Sequence, residues 1–185
     1  MENPKLELFP KGKLEVTLLR LCHEIIERHK RLDGLALLGV QPRGVYLSRR
    51  IHNLLNSLVP ENSISYGELD VTFFRDDFRT RTSPLEPNKT HIDFLIESKE
   101  IILVDDVLYT GRTVRAAMDA MLAYGRPKSV ELLVLVDRKR TRHLPVEANY
   151  VGIEVDTITS ERVIVQLQEA GGTEDSVFIF DQQTE

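Results

Sequence analysis

Residues 101–113 constrain the fold of this chain more than any other segment. The apolar run 101–104 predicts a buried strand, and two adjacent carboxylates, Asp105 and Asp106, stand at its end. A short loop with Thr110 and Gly111 comes next. Apolar residues then recur at helical spacing, at Val114, Ala117, Met118, Met121 and Leu122. The segment therefore predicts a strand, a loop and an amphipathic helix in succession.

This succession is typical of a site for a phosphate monoester. The free N–H groups of the loop, its hydroxyls and the positive end of the helix dipole converge on one spot. Asp105 and Asp106 would repel a phosphate, so we expect them to bind ribose hydroxyls or a hard cation such as Mg²⁺. The chain has neither the G-x-G-x-x-G pattern of dinucleotide folds nor the G-x-x-x-x-G-K-[ST] pattern of P-loop enzymes.

Strand and helix patterns alternate along the rest of the chain. Leu18, Leu21, Cys22, Ile25 and Ile26 keep helical spacing, as do apolar residues between positions 47 and 58. Strands are predicted at residues 35–40, 69–73, 101–104, 130–136, 150–155 and 163–167. The pattern predicts an α/β fold, a mainly parallel twisted sheet flanked by helices, in a single domain over residues 1–185. Such sheets bind ligands beyond the carboxyl ends of their strands.

The composition is that of a compact globular protein. At 185 residues the chain is long enough for one core, and 42% of its residues are hydrophobic and 29% charged. Its longest apolar runs are far below the ~20 residues of a membrane span, so no membrane association is expected. Residues 1–12 lack an apolar signal region, which predicts a cytoplasmic location. The one cysteine, Cys22, lies on the apolar face of a predicted helix and is interpreted as a buried structural thiol.

The sequence around residues 104–113 resembles the signature of the type I phosphoribosyltransferases, which is an apolar strand, two acids and a Thr-Gly loop. Arg43-Gly44 upstream and Val136-Asp137-Arg138 downstream extend the similarity, which runs from about residue 14 to residue 167. Within this family the chain is most similar to the pyrimidine operon regulators, bifunctional proteins that are also uracil phosphoribosyltransferases. The resemblance implies the type I phosphoribosyltransferase fold with a mobile lid segment.

The resemblance also implies roles for individual residues. Asp105 and Asp106 become the catalytic acids and the ligands of a Mg²⁺ cofactor, with Asp106 nearest the charge that develops on ribose. The residues that bind 5-phosphoribosyl 1-diphosphate (PRPP) are then Val107, Leu108, Tyr109, Thr110, Gly111, Arg112 and Thr113.

Four further residues are candidates for binding pyrophosphate. Arg43 and Gly44 follow a predicted strand, where a guanidinium and the N–H groups of a helix start can hold an anion. Arg75 and Lys89 belong to residues 75–90, a basic segment without periodicity that is interpreted as a lid over the leaving pyrophosphate. A solvated turn and a solvated basic loop are the alternative interpretations.

The base is expected at two other strand ends. Arg138 follows the predicted strand 130–136, and the resemblance places its counterpart near the base and ribose. Val163 and the turn 156–160 are the other base-binding candidates. Asp137 is either part of this site or the ion-pair partner of a neighbouring Lys or Arg.

Three functions remain open from the sequence. The main one is transfer of a phosphoribosyl group from PRPP to uracil, which forms UMP and diphosphate. Another is the same transfer to a purine or a different base. The third is an RNA-binding attenuator that senses UMP on the leader of pyr mRNA, with weak or vestigial catalysis. The resemblance implies a homodimer or a larger homo-oligomer in each case.

RNA binding has mixed support from the residues. The candidates are Arg20, His23, Arg28 and Arg142, but the net charge of −5 gives no overall support. Leu19 and Glu147 stand where the resemblance leads us to expect a hydroxyl and a basic side chain. The sequence therefore favours catalysis over attenuation.

Overall fold

The computed structural model of this protein describes residues 4–10, 12–76, 87–158 and 160–181. Within these residues the strands, in chain order, are β1 (Leu6–Glu7), β2 (Leu35–Val40), β3 (Ser65–Leu69), β4 (His91–Ile92), β5 (Glu100–Leu108), β6 (Ser129–Lys139), β7 (Tyr150–Asp156), β8 (Glu161–Gln166) and β9 (Ser176–Asp181). The helices are α1 (Lys13–Arg28), α2 (Gly44–Leu58) and α3 (Arg112–Leu122). Short 3₁₀ turns lie at Thr72–Phe74 and Gln168–Ala170.

The central sheet has six strands in the order β4-β3-β2-β5-β6-β7. All neighbouring pairs are parallel except β3 and β4. The helices cover both faces because alternate residues of β5 belong to different cores. Ile102 and Val104 pack in the core that contains α1 and α2, whereas Ile101 and Leu103 pack with α3. The predicted parallel α/β sheet with flanking helices is confirmed.

A second, antiparallel sheet has the order β1-β9-β8. Val163, Val165 and Val177 of this small sheet share one core with α1, α2 and the central sheet. Arg50 of α2 also forms ion pairs with Glu169 and Asp175, which lie in the segment that joins β8 and β9. These ion pairs lower the pKa of both carboxyls. The small sheet is thereby held beside the α2 face of the central sheet.

One strand prediction is wrong. The segment 69–73 is not a strand, because β3 ends at Leu69 and the chain turns through Thr72–Phe74. The strand predicted at residues 163–167 is confirmed as β8, but it pairs antiparallel with β9 in the small sheet and is not part of the parallel sheet.

The helix predictions hold, with one difference in the buried face. The helical spacing predicts Met118 and Leu122 on the apolar face of α3, but both are exposed, while Val114, Ala117 and Met121 are buried. Cys22 is buried in the core, and burial raises the pKa of its thiol to about 12. No helix in the described parts of the chain is long and apolar enough to cross a membrane.

Candidate active site

The two acids lie within β5, which continues to Leu108, and not after its end as the sequence predicts. Both are buried, with Asp105 7% and Asp106 9% exposed. The Asp106 N–H donates to Oδ1 of Asp105 at 2.9 Å, and the Val107 N–H donates to Oδ1 of Asp106 at 2.8 Å. The local backbone therefore fixes the orientation of both carboxyl groups.

The electrostatic setting of this pair favours a cation. Burial, together with the nearby charge of Asp106, raises the pKa of Asp105 well above its usual range. Burial also raises the pKa of Asp106, while the Arg43 guanidinium opposes that rise. Adjacent buried carboxylates repel each other, and a bound cation relieves the repulsion.

The loop after β5 has the geometry of a phosphate site. Gly111 takes a left-handed conformation, with φ of 88°, and precedes the first residue of α3. The first N–H groups of α3 have no partner within the helix, so the loop and the helix start present donors to an anion. The Thr113 hydroxyl oxygen lies in this first turn and accepts a hydrogen bond from Nη1 of Arg75 at 3.2 Å.

The segment after β6 supports this loop from outside. Arg142 donates to the carbonyls of Leu108 at 3.2 Å and of Tyr109, and it forms an ion pair with Asp137. The N–H groups of His143 and Leu144 donate to the Thr110 carbonyl at 3.0 and 3.3 Å. Asp137 thus has the neighbouring arginine as its partner, which is the second of the two alternatives that the sequence leaves open.

The turn after β2 approaches the acids from the other side. Arg43 precedes α2, and its Nη1 lies 3.9 Å from Oδ2 of Asp106. A Cβ on Gly44 would lie 2.3 Å from the Val104 carbonyl, so the start of α2 rests directly on β5. The Gln41–Pro42 peptide in this turn is cis. Gln41 donates to the Lys89 carbonyl at 2.9 Å, which brings Lys89 beside the turn.

A cavity of about 470 Å³ opens next to this turn. Arg43 and Tyr46 line one side of it, and residues 164–167 and 170–173 of the small sheet and its loop line the other. The space available for a ligand therefore extends from the pyrophosphate candidates towards β8.

Arg138, a candidate for binding the base, is buried and contacts the turn between β7 and β8. Its Nε donates to the Thr157 hydroxyl at 2.8 Å, and its Nη2 donates to the carbonyls of Glu161 at 2.8 Å and Ile158 at 3.2 Å. The guanidinium carbon lies 4.0 Å from the centre of the Tyr109 ring. Arg138 thereby connects the phosphate loop to the turn between β7 and β8.

Val163, the other single-residue candidate for the base, is buried like Arg138 and packs in the core that the two sheets share. The turn 156–160 lies beside Arg138, but its position 159 is outside the described residues. Residues 77–86 of the predicted lid are likewise outside them, so the structure describes only the two ends of that segment.

The RNA-binding candidates divide into two groups. Arg20 donates to the carbonyls of Val151 and Gly152 at 2.8 and 2.9 Å, and Arg28 donates to the Asn149 carbonyl at 3.4 Å. These two and the exposed His23 lie along α1, beside the edge strand β7. Arg142 lies elsewhere and donates hydrogen bonds to the carbonyls of Leu108 and Tyr109, at the start of the loop after β5.

Sequence reasoning missed Glu161. A single glutamate in an alternating strand usually points to solvent, yet Glu161 is only 7% exposed and contacts Lys5, Ile158 and Arg138. No local pattern identifies such a residue, because Lys5 is distant in the sequence.

A buried acid pair between a phosphate loop and an arginine-bearing turn, at the carboxyl edge of a parallel sheet, is the arrangement of a phosphoribosyltransferase. The family profile of the phosphoribosyl transferase domain matches residues 13–169. Curated relatives named bifunctional protein PyrR are 43% identical in Enterococcus faecalis strain OG1RF, over 92% of this chain and 94% of the relative, and 43% identical in Bacillus subtilis, over 90% and 92%. This chain belongs to the PyrR family of phosphoribosyl transferase domain proteins.

Solved structures agree on the fold. A hypoxanthine-guanine phosphoribosyltransferase from Bacillus anthracis superposes with a TM-score of 0.67 at 18% identity, over 97% of this chain and 98% of that one. A hypoxanthine phosphoribosyl transferase from Trypanosoma cruzi gives a TM-score of 0.71 at 16% identity, over 97% and 93%. At these identities the likeness establishes the fold alone.

Proposed function

We propose that this protein transfers the phosphoribosyl group of PRPP to uracil, which yields UMP and diphosphate. The buried pair Asp105 and Asp106, placed between the phosphate loop and Arg43, carries this proposal. Membership in the PyrR family supports uracil as the base, because its relatives are named bifunctional and PyrR proteins are pyrimidine regulators with this activity. The loop at residues 107–113 binds the 5-phosphate and ribose.

The reaction needs no nucleophilic side chain. A ring nitrogen of uracil attacks the anomeric carbon of PRPP as the bond to diphosphate breaks, and positive charge develops on ribose. The proton of that nitrogen leaves to the departing diphosphate or to water, so that the products are UMP and diphosphate. Asp106 stabilises that charge, while Asp105 binds the ribose hydroxyls. Arg43, the N–H of Gly44, Arg75 and Lys89 bind the departing diphosphate. One well-placed charge of this kind contributes about 3 kcal/mol to transition-state stabilisation.

The acid pair fits Mg²⁺ that is held mainly by the substrate. Within the described ranges, no group of three or more His, Cys, Asp or Glu side chains is arranged to hold a metal. Two carboxylates supply part of an octahedral oxygen shell, and Mg²⁺ commonly takes the remaining ligands from phosphates and water. When bound, the cation neutralises the leaving diphosphate.

The segment 75–90 is proposed to be a lid, because its described ends attach to opposite sides of the site. Arg75 donates to Thr113, and Asp76 forms ion pairs with Arg112 and Arg115. At the other end the Lys89 carbonyl accepts a hydrogen bond from Gln41. The described ends therefore contact the start of α3 on one side and the turn before α2 on the other, which supports the proposal that the segment shields the leaving group from water.

We expect PRPP with Mg²⁺ to protect residues 75–90 from amide exchange, because the basic side chains close over the diphosphate. Hydrogen-exchange mass spectrometry with and without PRPP measures this, with peptides of α1 as the internal control. Equal exchange of the segment in the two states would contradict a lid.

The base is identified by incubating the protein with labelled PRPP, Mg²⁺ and one nucleobase at a time. We expect UMP from uracil and at most traces of nucleotide from hypoxanthine, guanine or adenine. Omission of Mg²⁺ is the matched control. Preferential formation of a purine nucleotide would replace uracil with that base.

RNA binding is proposed as a second, weaker activity. The exposed His23 and the half-exposed Arg20 and Arg28 form a basic strip along α1 that could contact phosphates. Leu19 and Glu147 stand at positions where a hydroxyl and a basic side chain would contact phosphates, and neither can make such a contact. The net charge of −5 also disfavours the binding of RNA. A homodimer or larger homo-oligomer would present this strip more than once.

We expect weak binding of a pyr mRNA leader hairpin at physiological salt, strengthened by UMP. Filter binding of the wild type and of the Arg20→Gln, Arg28→Gln double variant tests the strip, and the salt slope of the variant should fall by about two. Arg126→Gln, on an exposed loop, is the control for loss of charge. Tight, UMP-dependent RNA binding without any UMP synthesis would make regulation the primary function.

A further inference from the structure

Glu161, the first residue of β8, joins three separate parts of the chain. One side-chain oxygen forms an ion pair with Lys5, and the other accepts the Ile158 N–H at 2.8 Å. Its main-chain carbonyl accepts Nη2 of Arg138 at 2.8 Å. Glu161 itself is only 7% exposed, whereas the side chain of its partner Lys5 is half exposed.

Lys5 is itself held in place by the small sheet. Its main-chain N–H donates to the Ile179 carbonyl of β9 at 2.8 Å, next to β1. The Lys5 ammonium lowers the pKa of Glu161, so this carboxyl is ionised and acts only as an acceptor. The ion pair therefore anchors the turn between β7 and β8 to the N-terminal strand.

The same turn is held from the other side by Arg138. Arg138 donates to Thr157 and Ile158, and its guanidinium lies over the Tyr109 ring of the phosphate loop. Glu161 fixes the N–H of Ile158 while Arg138 fixes its carbonyl. Hydrogen bonds thus restrain the peptide groups on both sides of Ile158.

We propose that Glu161 is a positioning residue for the base subsite, acting with Lys5 through the turn between β7 and β8. This inference rests on the proposed function, because the turn matters only if the base binds beside it. Among the described residues, the hydrogen bonds and ion pair of Glu161 reach the turn, Lys5 and Arg138, and none of them reaches the acid pair or Thr110 to Thr113. Its loss should therefore weaken the binding of the base more than that of PRPP.

Three variants separate the contribution of the ion pair with Lys5 from that of the hydrogen bond to the Ile158 N–H. Glu161→Ala removes both side-chain contacts, whereas Glu161→Gln keeps an oxygen that can accept the Ile158 N–H, and Lys5→Met removes only the ion pair. We expect the KM for uracil to rise about tenfold in Glu161→Ala and about threefold in the other two. The KM for PRPP should stay within about twofold of the wild type in all three.

Asp181→Asn is the matched control. Asp181 lies opposite Glu161 in the pairing of β8 with β9, and its exposed carboxylate lies 3.5 Å from the same Lys5 ammonium. This variant therefore removes a charge beside Lys5 while the hydrogen bond from Ile158 to Glu161 stays in place. Its KM for uracil should equal that of the wild type. Thermal melting of each variant accompanies the kinetics, and Glu161→Gln replaces Glu161→Ala if the latter does not fold.

The outcomes distinguish the inference from the function on which it rests. A wild type that uses another base refutes the proposed function, and the KM for that base then tests Glu161. If the wild type makes no nucleotide, equilibrium binding of UMP and of PRPP replaces the two KM values. Equal effects on both ligands, or none on the base, would overturn the positioning role.

Discussion

Replacing Asp106 by asparagine is expected to lower turnover by about a hundredfold or more while the protein remains folded. The substitution removes the charge that stabilises the ribose in the transition state and leaves the shape of the side chain almost unchanged. Because burial disfavours the charged form of Asp106, the variant should be no less stable than the wild type. Steady-state formation of UMP and thermal melting measure the two effects.

The matched control is Asp119→Asn, which removes one negative charge from the exposed face of α3. Within the described parts of the chain, the side chain of Asp119 forms one exposed ion pair, with Arg115 at 3.4 Å, so turnover should not change. Equilibrium dialysis of PRPP with and without Mg²⁺ adds a test of the cation, since binding is expected to require it. A folded Asp106→Asn protein with undiminished turnover would refute the role given to the acid pair.

The central part of the site could be predicted because the residues that form it are close together in the sequence. A buried strand, two acids, a Thr-Gly loop and a helical repeat follow one another within residues 101–122. Parallel pairing then places the ends of β2 and β6 beside that of β5. The position of Arg43 near Asp106 is therefore a consequence of topology that the alternation of strands and helices already indicates.

The small sheet could not be predicted in the same way. Its strand β1 has only two residues, and β8 and β9 depend on each other and on a segment near the N-terminus for their pairing. An alternating strand gives no sign of which sheet it joins. Glu161 was missed for the same reason, since its burial depends on Lys5 and the small sheet.

Arg142 illustrates a different limit of sequence reasoning. In the sequence it belongs to a basic segment, which most often is solvated or contacts an anion. In the structure its guanidinium donates to main-chain carbonyls around the phosphate loop and pairs with Asp137. A charge by itself does not indicate whether its partner is the solvent, a ligand or the backbone of the same chain.

Gly44→Ala is expected to destabilise the protein by about 3 kcal/mol and to abolish most turnover. The new Cβ would lie 2.3 Å from the Val104 carbonyl and 3.1 Å from Cα of Asp105, and both atoms belong to the backbone of β5. Because a central strand cannot move aside, the start of α2 must shift. That shift moves Arg43 away from Asp106 and the position of the diphosphate.

Gly34→Ala provides the matched comparison, since a Cβ there meets nothing within 4 Å and the conformation is open to any residue. It should leave stability and turnover unchanged or raise stability slightly.

Urea unfolding of both variants measures the loss of stability caused by crowding at Gly44, and PRPP-dependent kinetics measure the loss of turnover. We expect the KM for PRPP to rise in Gly44→Ala at temperatures where the variant is fully folded, because the turn after β2, which carries Arg43, is displaced. Normal kinetics in the folded Gly44→Ala variant would mean that the contact between α2 and β5 supports the fold without setting the geometry of the site.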